Sequence, residues 1–288
     1  MASVFDLLPA RADGPLKVGI IGGTGLENSE FMVAREQVAV ETPYGAPSDT
    51  FTLGTINDVE VVVLARHGRD HRHNPTNVNF RANLWAFKSL GVSIILASNA
   101  SGSLREHLAP GTFVVPSSFI DWTQQRQRTF YDGAAGHPTG VAHIPCFPAY
   151  SEALRSILLE CAKTVGVEVH DGTILCIEGP RFSSRAESNM FRTLGADVIN
   201  MTACPEAYLA KELGIAYAAV ALVTDYDCWR VGELEHVSVE NVAKVMVQNA
   251  VNTTKLFALA VSEIKAKSEL LTTEVELAET VAKGSVMF

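Results

Sequence analysis

Two carboxylates placed two residues apart are the side chains of this sequence best suited to acid–base chemistry. Asp225 and Asp227 follow an apolar run at 215–223, which predicts a fully buried strand. In an extended chain such residues lie on the same side, so both carboxyl groups would point the same way. There they could accept hydrogen bonds from an amino group or hold a proton for donation. Considered alone, the segment is explained slightly better by a polar loop that caps the next helix.

A glycine-rich loop follows the first predicted strand. Gly22, Gly23 and Gly25 surround Thr24, so backbone N–H groups could approach an oxyanion while the hydroxyl adds a donor. A dinucleotide-binding fingerprint fails because Asn28 stands where its last glycine is needed, and no Gly-Lys-Ser/Thr follows as in a P-loop. An anion-binding loop and a tight strand-to-helix turn both stay open.

Arg66 and His67 end the second predicted strand with a fork of N–H donors and an imidazole. This combination suits phosphate oxygens. His67 and His71 stand four apart and could share a metal on a helix, but Gly68 and the following Asn-Pro pair predict a loop instead. A solvated loop is a good alternative for residues 69–73, and a weaker one for the two residues that adjoin the strand.

Three further predicted strands end in small polar residues or an aromatic ring. Residues 98–103 read Ser-Asn-Ala-Ser-Gly-Ser, residues 178–184 contain Phe182, and residues 200–202 read Asn-Met-Thr. An aromatic ring can stack on a flat ligand. Ligands of open α/β sheets bind at the carboxyl ends of the strands. Polar clusters at the ends of so many strands therefore predict one ligand site at that edge.

Strand-length apolar runs alternate with helical patterns along the chain, which predicts a mostly parallel mixed sheet flanked by helices. The predicted strands are 17–21, 59–65, 93–98, 112–115, 172–177, 197–201 and 215–224, and the predicted helices are 80–90, 149–165, 184–194, 205–213 and 238–264. No repeat or linker divides the 288 residues, so a single α/β domain is expected, with 1–16 as a flexible N-terminal segment. The apolar end, Val286-Met287-Phe288, should pack on its own subunit or on a neighbour.

The composition narrows the possible partners. A net charge of −9 and a pI near 5.4 argue against nucleic-acid binding, which needs a basic face. Five dispersed cysteines form neither a zinc motif nor a disulfide framework. No signal peptide is visible, and no apolar run approaches the roughly 20 residues that span a bilayer. We therefore expect a soluble intracellular protein without a membrane or nucleic-acid partner.

Taken together, the motifs resemble the purine nucleoside phosphorylase superfamily and, within its trimeric branch, the 5′-methylthioadenosine phosphorylases. The resemblance covers about residues 17–264. It is carried by Ile-Ile-Gly-Gly-Thr-Gly at 20–25, Ala-Arg-His-Gly-Arg at 65–69, Gly-Ser-Leu-Arg-Glu at 102–106, Glu-Gly-Pro-Arg-Phe-Ser-Ser-Arg-Ala-Glu at 178–187, Val-Ile-Asn-Met-Thr at 198–202 and Thr-Asp-Tyr-Asp-Cys-Trp at 224–229. The motifs at 178–187 and 224–229 are the most specific.

The resemblance implies phosphorolysis of 5′-methylthioadenosine to adenine and 5-methylthioribose 1-phosphate, extending to adenosine, in purine and methionine salvage. It implies a homotrimer of the cytoplasm and nucleus that uses inorganic phosphate as co-substrate and needs no cofactor or metal. The resemblance implies that Asp225 is the acid and that phosphate is held by Thr24, Arg66, His67, Asn99, Ala100 and Thr202. The residues implied at the nucleoside are Phe182, Met201, Tyr226, Asp227 and His143. Specificity is assigned to Ser183, Val239, Val242 and a neighbouring subunit's Met287, and the last three of these lie with His143 at the 5′ end.

Two positions depart from the pattern of that family. Asn99 stands where a threonine is usual, which replaces a hydroxyl with an amide at the phosphate end. Ala243 stands where a leucine is common, and the loop at 230–236 is about one residue longer. These departures bear on phosphate affinity and on the preference for a 5′-methylthio group.

Three alternatives remain open on the sequence alone. A phosphorylase of 6-oxopurine nucleosides is the nearest, but its relatives place an Asn where Asp225 stands, and two carboxylates favour a 6-amino group. A non-catalytic nucleotide-binding protein would leave Arg66, His67 and the carboxylates unexplained. A hydrolase would have no use for so many anion donors. Phosphorolysis fits best, because a buried carboxylic acid can protonate the departing purine as an oxocarbenium-like state forms.

Overall fold

A nine-stranded mixed sheet organises the computed structural model, which describes residues 2–11, 14–23, 32–230 and 239–288. The strands of this sheet are β1 (Val18–Gly22), β2 (Val33–Val38), β3 (Phe51–Ile56), β4 (Val59–Ala65), β5 (Ile94–Ser103), β6 (Phe113–Trp122), β8 (Val169–Ile177), β9 (Val198–Asn200) and β10 (Ala216–Asp225). A separate pair consists of β7 (Val141–Ala142) and β11 (Val286–Met287). The helices are α1 (Val4–Leu7), α2 (Phe80–Ser89), α3 (Glu152–Val165), α4 (Arg185–Thr193), α5 (Glu206–Glu212), α6 (Val239–Ala266) and α7 (Ser268–Gly284).

The sheet closes partly on itself. Its order is β10-β6-β8-β9-β5-β1-β4-β3-β2, and an additional β10–β5 pairing joins five of these strands into a ring. Parallel pairings link β1 to β4 and β5, β10 to β5, and β8 to β6 and β9, while the other four pairings are antiparallel. The predicted fold class, a mostly parallel mixed sheet with flanking helices in one domain, is confirmed.

The central strands are buried on both faces, which is why they read as continuous apolar runs. Along β10, Tyr217 and Ala219 face one core layer while Ala218 and Val220 face the other. Helices α2 and α5 contribute to the first layer, and α3 and α6 contribute to the second. This double cover positions the carboxyl end of β10, which carries Asp225.

Several elements differ from their predicted bounds. Strand β5 continues through the polar residues up to Ser103 because β10 and β9 pair with that part. Strands β2 and β3 were not predicted, because their sequences are short and mixed in polarity and they lie at the sheet edge. The helix predicted from 205 begins at Glu206, and the one at 149–165 begins at Glu152 with Ser151 as its N-cap.

The described part of the N-terminal segment contains a short helix. Val4–Leu7 form this helix, Val4 is fully buried, and its N–H donates to the Tyr131 hydroxyl at 3.2 Å, while the flexibility of residues 1–16 stays a prediction. An apolar residue that fits a core pocket is enough to hold such a segment. At the other end of the chain, Val286 and Met287 pair with β7 of the same subunit.

Within the described residues, no helix is long and apolar enough to span a bilayer.

Candidate active site

A cavity of about 240 Å³ lies at the ends of strands β1, β4, β5, β8, β9 and β10. The polar clusters of the sequence lie at the ends of these strands, so they converge at one edge of the sheet as predicted. Nine of the predicted site residues line the cavity: Arg66, His67, Ala100, Phe182, Ser183, Met201, Thr202, Asp225 and Asp227.

Asp225 and Asp227 form the acidic end of this cavity. The Oδ2 atom of Asp225 accepts a hydrogen bond from the Thr224 hydroxyl at 2.7 Å, and its Oδ1 accepts one from the Asp227 N–H at 2.8 Å. Burial raises the pKa of both carboxyl groups above the ordinary value. The hydroxyls of Ser183 and Ser188 lie beside Asp227. Carboxyl groups in this environment can hold a proton and pass it to a bound base.

Glycine at position 102 makes room for these carboxyl groups. A Cβ atom there would stand 3.1 Å from Asp225 Oδ1 and 3.3 Å from the Cβ of Asp227. Asp227 itself has a positive φ of 47°, a left-handed conformation that costs energy for a residue other than glycine. Backbone strain of this kind is typical of functional sites. Here it turns a second carboxyl group towards the cavity.

Arg66 lines another part of the same cavity, called the anion end after the phosphate ligands predicted there, and Glu206 compensates its charge. The guanidinium donates from Nε and Nη2 to the two carboxylate oxygens of Glu206, each at 2.7 Å, and from Nη1 to the Ser98 carbonyl at 2.8 Å. Both side chains of the ion pair are essentially unexposed. Tyr217 adds a further donor to Glu206 at 2.8 Å. Three of the five N–H groups of Arg66 are thus engaged by described residues, and the side chain has no exposed surface.

Asn99 lies behind the residues that line the cavity and contacts one of them. It is buried, is not among the lining residues, and donates from Nδ2 to the Thr202 hydroxyl oxygen at 2.8 Å. Because that oxygen accepts this bond, its own proton stays available to a ligand. Thr202 lines the cavity. Asn99 therefore orients Thr202, and its place at the phosphate stays a prediction.

Aromatic and sulfur-containing side chains form the apolar walls. The Phe182 ring lines the cavity and is partly exposed, as expected of a surface that stacks on a base. Met201 approaches Gly179 so closely that a Cβ there would stand 2.6 Å from its Sδ, and Gly179 also has a positive φ of 72°. Glycine is thus required where the loop after β8 crosses Met201.

Three predicted residues lie elsewhere in the same chain. Tyr226 points away from the cavity, because it sits between two inward-facing carboxylates; its ring packs on Trp229, and the Arg230 guanidinium lies 3.9 Å from it. It is not among the residues that line this cavity, and its role as a substrate contact stays a prediction. Met287 pairs with Val141 in the β7–β11 pair, and His143, which follows β7, donates its N–H to the Ser285 carbonyl at 2.9 Å. Neither is among the residues that line the cavity of its own subunit.

Three others cannot be placed. Thr24 lies outside the described residues, and the side chains of Val239 and Val242 lie outside the described part of α6.

Several functional neighbours were missed by sequence reasoning. Glu206 reads as an ordinary acidic residue in the first turn of a helix, with no local signal that it pairs with Arg66. Arg126 donates to the Cys204 carbonyl at 2.5 Å and to the Glu178 carbonyl at 2.7 Å, and so ties together two loops that line the cavity. Only the tertiary fold brings these residues together. Within the described residues, no group of three or more potential metal ligands is found.

Comparison with protein families defines the class. A family model of the phosphorylase superfamily matches residues 17–262. The chain belongs to the phosphorylase superfamily. This confirms the resemblance inferred from its motifs.

Within that superfamily the similarity is to one group of enzymes. The S-methyl-5′-thioadenosine phosphorylase of Drosophila melanogaster is 53% identical over 251 residues, covering 87% of this chain and 86% of the relative. That of Caenorhabditis elegans is 50% identical over 270 residues, covering 92% and 93%. The structure of methylthioadenosine phosphorylase from Schistosoma mansoni in complex with adenine has a TM-score of 0.91 and 39% identity, covering 94% of this chain and 99% of that one.

Proposed function

We propose that this protein catalyses the phosphorolysis of 5′-methylthioadenosine to adenine and 5-methylthioribose 1-phosphate, a transfer reaction of purine and methionine salvage that extends to adenosine. One observation carries the proposal: a single cavity joins two buried carboxyl groups of raised pKa to the Arg66 and Thr202 donors. The similarity to methylthioadenosine phosphorylases from three organisms supports this substrate.

The carboxylate end supplies the acid. Adenine leaves poorly as an anion, so protonation of its N7 lowers the barrier to cleavage. Asp225, whose pKa is raised by burial, holds this proton. Asp227 accepts a hydrogen bond from the exocyclic amine, and Phe182 lies against the ring. General acid catalysis of this kind contributes roughly 100- to 10,000-fold.

The anion end supplies the nucleophile. Phosphate bound by Arg66, Thr202 and the backbone at Ala100 attacks C1′ of the ribose, which lies along Met201. Because Glu206 neutralises Arg66, this end acts through fixed hydrogen-bond donors more than through net charge. Donors held in place before the reaction stabilise the transition state without reorganising. The reaction needs no metal or organic cofactor in this proposal.

The protein acts as a homotrimer in this proposal. Val141, Phe147, Leu277, Met287 and Phe288 are apolar and strongly exposed, which favours burial against another copy. Met287 belongs to the β7–β11 pair and His143 follows β7, so one neighbouring surface could deliver both to the 5′ end of the substrate. The dispersed free cysteines suit a reducing compartment, and we propose the cytoplasm and nucleus.

A phosphorylase of 6-oxopurine nucleosides is the second candidate, and a panel of substrates separates the two. The kcat/KM values of methylthioadenosine, adenosine and inosine are to be compared at saturating phosphate. The proposal predicts that methylthioadenosine is the best substrate and inosine the poorest. A preference for inosine would establish the second candidate, and no turnover of any nucleoside would favour a non-catalytic nucleotide-binding protein.

A further inference from the structure

The hydrogen bonds of His67 determine which of its ring nitrogens carries a proton. Its Nδ1 lies 2.8 Å from the carbonyl oxygen of His73. A carbonyl can only accept, so Nδ1 is the protonated nitrogen. In the neutral ring, Nε2 then carries a lone pair and no hydrogen. His67 lines the cavity, and Nε2, which has no hydrogen-bond partner among the described residues, is the ring nitrogen that can meet a ligand.

The surroundings of His67 keep the ring neutral. Its side chain is buried, Arg66 adds a positive charge beside it, and the rings of His71 and His73 lie close, the former stacked at 4.7 Å. Burial, with the Arg66 cation, lowers the pKa of His67 to about 4. Near neutral pH the ring therefore offers a ligand an acceptor at Nε2.

We propose that His67 selects a protonated anion: its Nε2 accepts a hydrogen bond from the P–OH group of hydrogen phosphate and discriminates against sulfate. This inference rests on the proposed function, which places phosphate at this end. Sulfate has the same shape but no proton near neutral pH, so its oxygen would face the Nε2 lone pair. An unpaired buried acceptor of this kind is costly.

The arrangement also bears on the reaction. The P–OH oxygen is the least nucleophilic of the four phosphate oxygens. When His67 holds it, the unprotonated oxygens remain for attack at C1′. Sulfate can bind well only if His67 first takes up a proton, which couples sulfate affinity to pH.

The test measures binding of inorganic phosphate and inorganic sulfate to the full chain by calorimetry, at about pH 6 and about pH 8, the range over which histidines titrate. Sulfate affinity should fall by up to about tenfold for each pH unit, because one proton is taken up with it. Phosphate affinity should change much less, since phosphate keeps a P–OH group throughout. At the higher pH, phosphate should bind at least about tenfold more tightly, or about 1.4 kcal/mol.

Two variants sharpen the test. His67→Gln places an amide there that can turn either a donor or an acceptor to the ligand, so the difference between the anions and its pH dependence should collapse. His170→Gln changes a histidine outside the cavity and should leave both unchanged. If His67→Gln does not fold, the ¹⁵N chemical shift of Nε2 in the wild type measures the protonation state of that nitrogen directly. When phosphate binds, this shift should stay that of an unprotonated nitrogen.

Equal affinities for the two anions with parallel pH dependence would overturn the inference. If phosphate still drives adenine release in that case, the proposed function stands and only the role of His67 is wrong. If phosphate neither binds nor promotes adenine release, the proposed function fails together with the inference.

Discussion

At the carboxylate end of the cavity one short segment at the end of β10 supplies both acidic groups, whereas the anion end draws Arg66, Ala100 and Thr202 from three different strands or the loops that follow them. The first end needs only a buried strand and a tight turn. The second also needs buried partners, Glu206 for Arg66 and Asn99 for Thr202. The comparison shows that a proton donor can be built locally, while an anion site depends on the whole sheet.

The largest effect is expected from breaking the ion pair of the anion end. Glu206→Gln leaves the Arg66 cation buried without its partner, which should lower the free energy of unfolding by about 3–5 kcal/mol and raise the KM for phosphate. Urea denaturation and phosphate kinetics measure the two effects. Glu279→Gln, which removes the partner of Lys88 in another part of the fold, is the matched control and should leave the phosphate KM unchanged. A phosphate KM that does not move in Glu206→Gln would contradict the positioning role.

At the carboxylate end, Asp225→Asn should reduce kcat/KM for methylthioadenosine by roughly 100-fold or more, because the transferable proton is lost. The loss on inosine should be much smaller, since an amide can donate to O6. The measurement is the ratio of kcat/KM for the two nucleosides at one phosphate concentration. Asp70→Asn, at an exposed carboxylate paired with Arg72, is the control. A ratio equal to that of the wild type would assign the acid to Asp227 instead.

A third prediction compares two buried glutamates at opposite ends of α5. Glu206 faces a cation, but Glu212 is held by the Phe130 N–H and the Thr129 hydroxyl, and burial raises its pKa from 4.5 to about 7. The folded state therefore binds the proton more tightly than the unfolded state. Stability should fall as pH rises from about 4.5 to about 7, by on the order of 1–3 kcal/mol.

Glu212→Gln should flatten this pH dependence, since the amide stays neutral throughout. Chemical denaturation at several pH values, wild type against variant, measures it. An equally steep decline in the variant would show that other groups cause it.

The smallest effect is expected at Asn99. A threonine hydroxyl there is the donor usual in the family, so Asn99→Thr should lower the KM for phosphate and leave the preference among nucleosides nearly unchanged. Because Asn99 reaches the cavity through Thr202, the change should be modest. A phosphate KM within about twofold of the wild type, or ~0.4 kcal/mol, would show that the amide and the hydroxyl orient Thr202 equally well.

The sequence predicted the sheet and much of the cavity because both depend on local patterns. Buried strands read as apolar runs, and the polar residues that end them converge at one edge, as for Asp225 and Arg66. Glu206 could not be predicted, because its partner is 140 residues away in the chain. The outward orientation of Tyr226 could be recognised only once the side chains were seen to alternate past the end of β10. The tautomer of His67 could be recognised only from its bond to His73. Such details are set by tertiary contacts rather than by local pattern.

The central claim is that both ends of the cavity act in one reaction, and the dependence of adenine release on phosphate tests it most directly. Methylthioadenosine is incubated with the protein in buffers with and without inorganic phosphate, and the sugar product is identified by mass spectrometry. If the protein is a phosphorylase, we expect adenine to appear only with phosphate and the sugar product to be 5-methylthioribose 1-phosphate. Equal adenine release without phosphate, with free methylthioribose as the product, would contradict it and identify a hydrolase.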